Sequence, residues 1–402
     1  MSALLSPHTS RKFRFFAFLS MVLLVFVHGY NLNNRYMQPF TVVDEPMTFT
    51  TFSAYFFANG VFRFRIPILF AISGFLFALH DEKPFGKRIG NRFRTLMVPY
   101  FLWSIIGLAT AVLLAQWSFT RDAVYNGHLQ PVMIDNGPNQ MPTWKTFDQY
   151  TPGDWLTAVL WPTSFQLWFI RCLFFYNLLY PLLKKGVMKM PAVLFTVFGL
   201  LWFLSLGFIF IEGEGLLFFT LGVWLCKKGK DIEKRPSWLF MPGILGVALA
   251  ACLIKTLLAF YGPKLISDGF WLGFLMNALH KVVIAGGFLV AWYGLDTFAT
   301  KAMHKKWVVK LSAYSFIIYA LHVPLITYLI DPVHQLIHAL PNYRLITFVL
   351  LPILVILFCI GCGWLMRKTI PGIYAVLTGN RGLDKPVVVK LPRKEVAEAV
   401  PL

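Results

Sequence analysis

Five basic residues, Arg63, Arg65, Arg171, Lys255 and Lys281, lie inside stretches otherwise apolar enough to cross a lipid bilayer. A charge near the bilayer centre costs about 2.5–3.5 kcal/mol even on the most forgiving scale, and such residues usually face a protein interior or a wet cavity. Five of them imply a polar site within the membrane, and their sign implies that it handles something anionic. His28 is the leading candidate for chemistry. An imidazole with its ordinary pKa of about 6.5 suits a general base, which typically contributes about 10²–10⁴-fold in rate. The alternative role for His28 is a structural histidine at a helix end.

A second histidine, His322, completes a stripe with Ser312, Ser315 and Tyr319. Their spacings of three, four and three place them on one helical face. Interhelical hydrogen bonding, common in membrane bundles, is the competing role for that stripe. Asn277, His280 and Lys281 form a similar cluster. Ser73-Gly74 reads as a small pair permitting close helix packing. Cys359 and Cys362 make a C-x-x-C inside an apolar run, and the five cysteines suggest neither a disulfide framework nor a metal set. The sequence has no G-x-S-x-G elbow, H-E-x-x-H pair, Walker loop or dinucleotide fingerprint.

The elements that must carry these residues follow from composition. The chain of 402 residues is 57% hydrophobic and 14% charged, with 40 phenylalanines, where a soluble domain would carry about 25% charged residues. Apolar runs of spanning length recur at 13–30, 56–79, 97–116, 162–183, 191–211, 213–227, 238–261, 271–294, 308–330 and 344–366. The expectation is an all-α integral membrane protein, a bundle of about ten transmembrane helices.

The net charge of +19 does not point to nucleic acid, because it is distributed by topology. With the N-terminus inside, the outer segments hold only Arg35, Arg121, Lys145, Lys264 and Arg344, and most other Lys and Arg fall inside. This is the positive-inside pattern with both termini cytoplasmic, some of the charge also attracting anionic headgroups. The first run shows no signal-peptide cleavage site and reads as a retained helix. Residues 1–377 form one membrane domain, 117–161 an outer cap or loop, and 378–402 a loosely ordered cytoplasmic tail.

Helical rise converts position into depth. His28, Arg63, Arg65, Arg171 and His322 all come out about 8–14 Å below the outer face. Lys255 comes out near the outer surface, where a lysine can snorkel.

The segments FFAFLSMVLLVFVH (Phe15–His28), IPILFAISGFLF (Ile66–Phe77), RIGNRFRTLMVPY (Arg88–Tyr100), LWFIRCL (Leu167–Leu173) and YSFIIYALHVP (Tyr314–Pro324) resemble acyltransferase family 3 in order and spacing. That family comprises membrane acyltransferases of surface glycans, lipids and periplasmic glucans. The resemblance implies a multi-pass protein of the bacterial inner membrane. It would move an acyl group from a cytoplasmic acyl-CoA, used as donor substrate with no permanently bound cofactor, to an extracytoplasmic hydroxyl of a glycan or lipid. It also implies that His28 activates that hydroxyl and that Arg88 and Arg92, an R-x-x-x-R pair, clamp coenzyme A phosphates. Guanidinium forks suit phosphate, although ordinary positive-inside charge would place them there too. Where relatives carry an arginine eleven residues before the first-helix histidine, this chain has Ala17, with Arg14 one turn away.

The expected reading is a membrane O-acyltransferase of acetyl or succinyl class. Its catalytic residues would be His28, Arg63, Arg65, Arg171 and His322, the arginines serving the oxyanion or the free carboxylate of a succinyl donor. A transporter or flippase for an anionic solute uses intramembrane arginines equally well, but is expected to show Gly/Pro-broken helices in corresponding halves. An inactive subunit is the third reading, motivated by Ala17.

Overall fold

The computed structural model describes residues 5–382 except 31, 33–37, 39, 127–131, 135–142, 163 and 209. Arg35, part of the 117–161 segment and residues 383–402 of the expected tail lie outside the described residues. The chain is an all-α membrane protein. Its helices are α1 (Pro7–His28), α2 (Phe49–Ala58), α3 (Arg65–Leu79), α4 (Phe85–Arg92), α5 (Val98–Gln116), α6 (Ser118–Asn126), α7 (Pro152–Leu160), α8 (Trp168–Lys189) and α9 (Pro191–Phe203). There follow α10 (Gly213–Lys227), α11 (Met241–Leu265), α12 (Gly269–Leu289), α13 (Asp296–His304), α14 (Lys306–Ser312), α15 (Ser315–Ile337), α16 (Tyr343–Thr369) and α17 (Pro371–Thr378). Sheet among the described residues is confined to two two-stranded antiparallel ribbons.

Seven helical stretches are long and apolar enough to span: Phe49–Leu79, Phe85–Gln116, Phe165–Lys189, Met241–Leu265, Gly269–Gly294, Ser315–Ile337 and Tyr343–Thr369. Three further runs expected to span also form helices, as α1, α9 and α10, the last two only 13 and 15 residues long. Hydrophobic side chains exposed on the outside of the bundle mark the lipid-facing side. On α16, Leu350, Leu354, Leu357 and Trp364 form one such stripe.

Local chemistry sets the helix ends. Ser6 Oγ accepts from Thr9 N–H at 3.0 Å and Pro7 opens α1, satisfying an N-terminal donor and fixing φ at the first turn. Asp268 Oδ1 does the same for α12, accepting from Phe270 N–H at 2.8 Å. At the centre, α3 and α10 approach closely through glycine. A methyl group on Gly74 would come within 2.0 Å of Phe219 O, and one on Gly222 within 2.0 Å of Ala71 O. The Ser73-Gly74 pair is thus a packing device, as expected.

The run expected as one helix over 56–79 is broken. α2 ends at Ala58, a short 3-10 turn spans Val61–Phe64, and α3 opens at Arg65. Irregular backbone inside a membrane protein must have its carbonyls satisfied from within. Here cationic side chains do so. Arg63 Nε donates to Ala58 O at 3.1 Å, Arg65 to Phe62 O at 3.0 Å, and Lys255 Nζ to Asn59 O at 2.7 Å. Lys255 is therefore not a snorkelling residue; at 1% exposure it is locked into the interior beside the break.

The 117–161 segment, expected on the outer side, is more ordered in its described part than its turn signals suggested. It contains α6 and α7, and Val124, Phe147, Tyr150 and Ala158 pack with Leu108 and Ala111 of α5 and Tyr328 of α15. After α16, α17 docks against α5, where Trp103 Nε1 donates to Leu377 O at 2.9 Å. Arg381 then reaches back to Thr95 O at 2.8 Å.

Candidate active site

The C-terminal end of α1 delivers His28 to a cavity of about 670 Å³. Its ring lies edge-on to Phe165, centroids 4.9 Å apart, and stacks with the ring of His322 at 5.6 Å and 27°. His322 is fully buried on α15, and its Nδ1 donates to the carbonyls of Ile318 at 2.8 Å and Tyr319 at 2.9 Å. With the proton at Nδ1, the neutral ring presents a lone pair at Nε2, which has no protein partner among the described residues.

Pro324 explains why the neighbouring turn is fixed. Proline lacks the N–H that would bond Ala320 O, and Gln166 Nε2 fills that vacancy at 3.0 Å. Tyr319 hydroxyl in turn donates to Gln166 O at 2.7 Å. Of the expected stripe, Tyr319 donates across to this neighbouring turn and Ser312 Oγ accepts from Arg14 of α1. Ser312 and Ser315 donate to the backbone carbonyls of Val309 and Ser312.

Arg63 and Arg65 line the same cavity as His28, as do His280, Lys281 and Tyr319. Arg171 does not. It lies on another side of α8, with its guanidinium over Trp161 at 5.2 Å and Phe210 at 5.5 Å. Residue counting fixes depth along a helix but not direction around it, and at 100° per residue that direction decides the neighbours. Arg14 is likewise engaged elsewhere, donating to Ser312 Oγ at 2.7 Å and Val309 O at 2.8 Å.

Two residues not singled out in the sequence complete the cavity, Glu212 and Glu214 at the start of α10. Glu214 accepts from Trp202 Nε1 at 3.1 Å and interacts electrostatically with Lys281, Arg63 and Arg65. Glu212 Oε2 is buried with no hydrogen-bond partner among the described residues. Lys281 Nζ donates to Ser205 Oγ at 3.0 Å, and Ser205 sits at φ +54°, a left-handed conformation unusual for serine. Three basic and two acidic side chains thus share this wall. The missed signal was acidic. In a chain with 18 Asp and Glu, two lie one residue apart in the Ile211–Gly215 stretch, I-E-G-E-G, between apolar runs.

At the opposite end of α3, about 22 Å away by helical rise, lies a second charged cluster. Asp81 bridges Lys184 at 2.7 Å, Lys227 at 2.5 Å and Arg88 at 3.5 Å. Burial opposes its ionisation, but the hydrogen bonds from the two lysines outweigh it and hold the carboxyl at about 2. Arg88 is 7% exposed and donates to Phe77 O, its guanidinium stacked 3.9 Å over the Phe77 ring. An arginine committed this way is not an open phosphate fork, unlike the one expected at this position. Arg92 touches the edge of that stack, 5.4 Å from the Phe77 ring, and makes no hydrogen bond or ion pair among the described residues.

All five cysteines are free, and the described residues contain no cluster of three or more metal-ligating side chains.

The profile of the family described as an acyltransferase domain, acyltransferase family 3, matches residues 18–367, a span that includes every cavity residue named above. The chain belongs to acyltransferase family 3. It is a membrane acyltransferase. A curated relative, succinoglycan biosynthesis protein ExoH of Rhizobium meliloti (strain 1021), is 25% identical over 347 residues, covering 84% of this chain and 85% of its own. No solved structure matches the chain. As an acyltransferase 3 protein it holds the first-helix histidine of the sequence resemblance in the cavity wall, whereas Ala17 packs beside the apolar core.

Proposed function

We propose that this acyltransferase moves an acetyl- or succinyl-class group from a cytoplasmic acyl-CoA to a hydroxyl of an extracytoplasmic glycan or lipid. The observation that carries the reading is His28 in one cavity wall with Arg63 and Arg65, its ring stacked on the buried His322 behind it. Relatedness to a succinoglycan biosynthesis protein favours a glycan acceptor. We further propose that α1, α9 and α10 join the seven long helices as spans, that both termini are cytoplasmic, and that the protein resides in the bacterial inner membrane.

In this scheme His28 accepts the proton of the acceptor hydroxyl as its oxygen bonds to the thioester carbonyl carbon. Negative charge collects on the carbonyl oxygen, where preorganised cations and donors are worth most, and Arg63 and Arg65 face it. The carbon–sulfur bond then breaks, and the leaving thiolate takes the proton from the imidazolium. No nucleophilic side chain is needed. Arg92, with surrounding positive charge, holds the nucleotide end of the donor, while the thioester arm runs alongside α3 between the two clusters.

The test is incubation of purified protein with labelled acetyl-CoA and succinyl-CoA, with and without a glycan acceptor. Acceptor-dependent release of free thiol that requires His28 is expected. Uptake of a labelled anionic solute into proteoliposomes without thiol release would replace the enzyme with a transporter.

A further inference from the structure

His280 on α12 lines the same cavity but has no part in the scheme above. Its Nδ1 lies 3.1 Å from Lys255 Nζ, and the same Nζ donates to Asn59 O at 2.7 Å, with the Tyr55 ring 5.2 Å away. Lys255 and His280 are 1% and 3% exposed. In the arrangement in which Nζ donates to both Asn59 O and His280, Nδ1 offers its lone pair and carries no proton. A neutral His280 then holds its proton on Nε2. His322 is the mirror case, its Nδ1 proton tied to two carbonyls and its Nε2 left as a lone pair.

The basic groups that act on His280 are Lys255 on α11, Arg63 at the helix break and Lys281 on its own helix. A fixed neutral imidazole N–H is an established way to polarise a substrate carbonyl.

We propose that His280 is a catalytic residue that donates from Nε2–H to the thioester carbonyl oxygen as charge develops there, with Lys255 as the positioning residue that sets its tautomer. The inference rests on the transferase reading above. No bond to His280 is made or broken; it contributes one hydrogen bond that strengthens as the carbonyl becomes an oxyanion. Lys255 is thereby used twice, bracing the α2–α3 break through Asn59 and orienting the ring that faces substrate.

The experiment combines two readouts on full-length protein in detergent or nanodiscs. The first is ¹⁵N NMR of histidine-labelled resting protein. His280 should show a protonated Nε2 and a lone pair at Nδ1, and Lys255→Met should move it toward the other tautomer. The second is steady-state transfer with the acyl-CoA that the wild type uses. His280→Ala should lower kcat about 10²–10³-fold, the usual cost of one oxyanion donor, with KM for donor and acceptor little changed. His280→Gln should recover much of that loss, because its carbonyl can accept from Lys255 while its amide N–H₂ faces the cavity. Lys255→Met should show a smaller kcat loss than His280→Ala. Unfolding temperatures identify variants that fail to fold, for which the NMR on wild type still decides the tautomer. A protonated Nδ1 in the wild type, or folded His280→Ala with unchanged kcat, overturns the proposal and leaves the transferase reading standing. A wild type that transfers no acyl group overturns both.

Discussion

The rings of His28 and His322 stack 5.6 Å apart, and His322 is held there by its own helix, Nδ1 bonded to the carbonyls of Ile318 and Tyr319. This makes His28 the more accessible imidazole and His322 its buried brace. His322→Phe keeps a ring against His28 while removing the Nε2 lone pair. It should leave the unfolding temperature near that of wild type and reduce acyl transfer by less than about 10²-fold, the lower end of what a general base supplies. A loss as large as that of His28→Ala would make His322 itself the base.

The α3–α10 contact predicts a stability effect with a built-in control. Gly74→Ala and Gly222→Ala each push a methyl group to 2.0 Å from a backbone carbonyl oxygen, and neither backbone can yield as a flexible side chain would. Each should destabilise by about 1–3 kcal/mol or more, the usual range for overpacking. Gly246→Ala and Gly361→Ala, where nothing lies within 4 Å, should not. Thermal unfolding in detergent distinguishes them. Equal shifts at all four positions would mean that the close approach is not what holds these helices together.

The two arginines of the R-x-x-x-R pair should part company. Arg88 is buried, bonded to Phe77 O and paired with Asp81, so Arg88→Ala should lower the unfolding temperature. Arg92→Ala should leave that temperature unchanged and weaken acyl-CoA binding by about 1.5–3 kcal/mol, the value of one charged hydrogen bond. Lys83→Ala is the control for general positive charge. Isothermal titration with a non-hydrolysable donor analogue reads the difference, and an Arg92→Ala protein with wild-type affinity removes this residue from donor binding.

Asp81 gives a pH signature. Its carboxyl is held at about 2 against an ordinary 3.8. A group depressed on folding stabilises fully above its unfolded pKa, and that contribution fades as pH falls through the folded one. Wild-type protein should therefore lose stability between about pH 4 and pH 2 by an amount that Asp81→Asn lacks. Parallel unfolding curves for the two proteins across that window would show that the Lys184–Asp81–Lys227 bridge contributes nothing.

Topology is open to direct labelling. Cysteines introduced at Asn126 and Ser267 should react with an impermeant reagent from outside, and those at Gly229 and Gly382 only after permeabilisation. External labelling at Gly229 would invert the proposed orientation and the donor side with it.

Much of this was legible from one sequence because apolar length and helical rise are local properties. They gave the helices, and they grouped His28 with Arg63 and Arg65, which the fold brings to one cavity. Direction around a helix is not local, which is why Arg171 came out beside His28 on paper and against Trp161 in the fold. The break at Asn59–Phe64 had a local signal, the Asn59-Gly60 turn pair, but it sits inside a run long and apolar enough to read as one span. The cations that satisfy its carbonyls were a second signal, and those read as substrate ligands. Glu212 and Glu214 escaped notice because an acid at a helix N-terminus is ordinarily explained by the macrodipole. Lys255 looked superficial because counting measures distance along the helix, not what packs over it.

The central claim is that this chain transfers acyl groups with His28 as the base that activates a hydroxyl. The most direct measurement is the transfer rate of His28→Asn protein that is folded, membrane-inserted and still binds acyl-CoA. Asparagine keeps a polar side chain in the cavity but cannot accept a proton. The expected result is a loss of about 10²–10⁴-fold, together with a wild-type rate that rises with pH as a single base loses its proton. Near-normal transfer by the folded variant would contradict the mechanism and remove His28 from it.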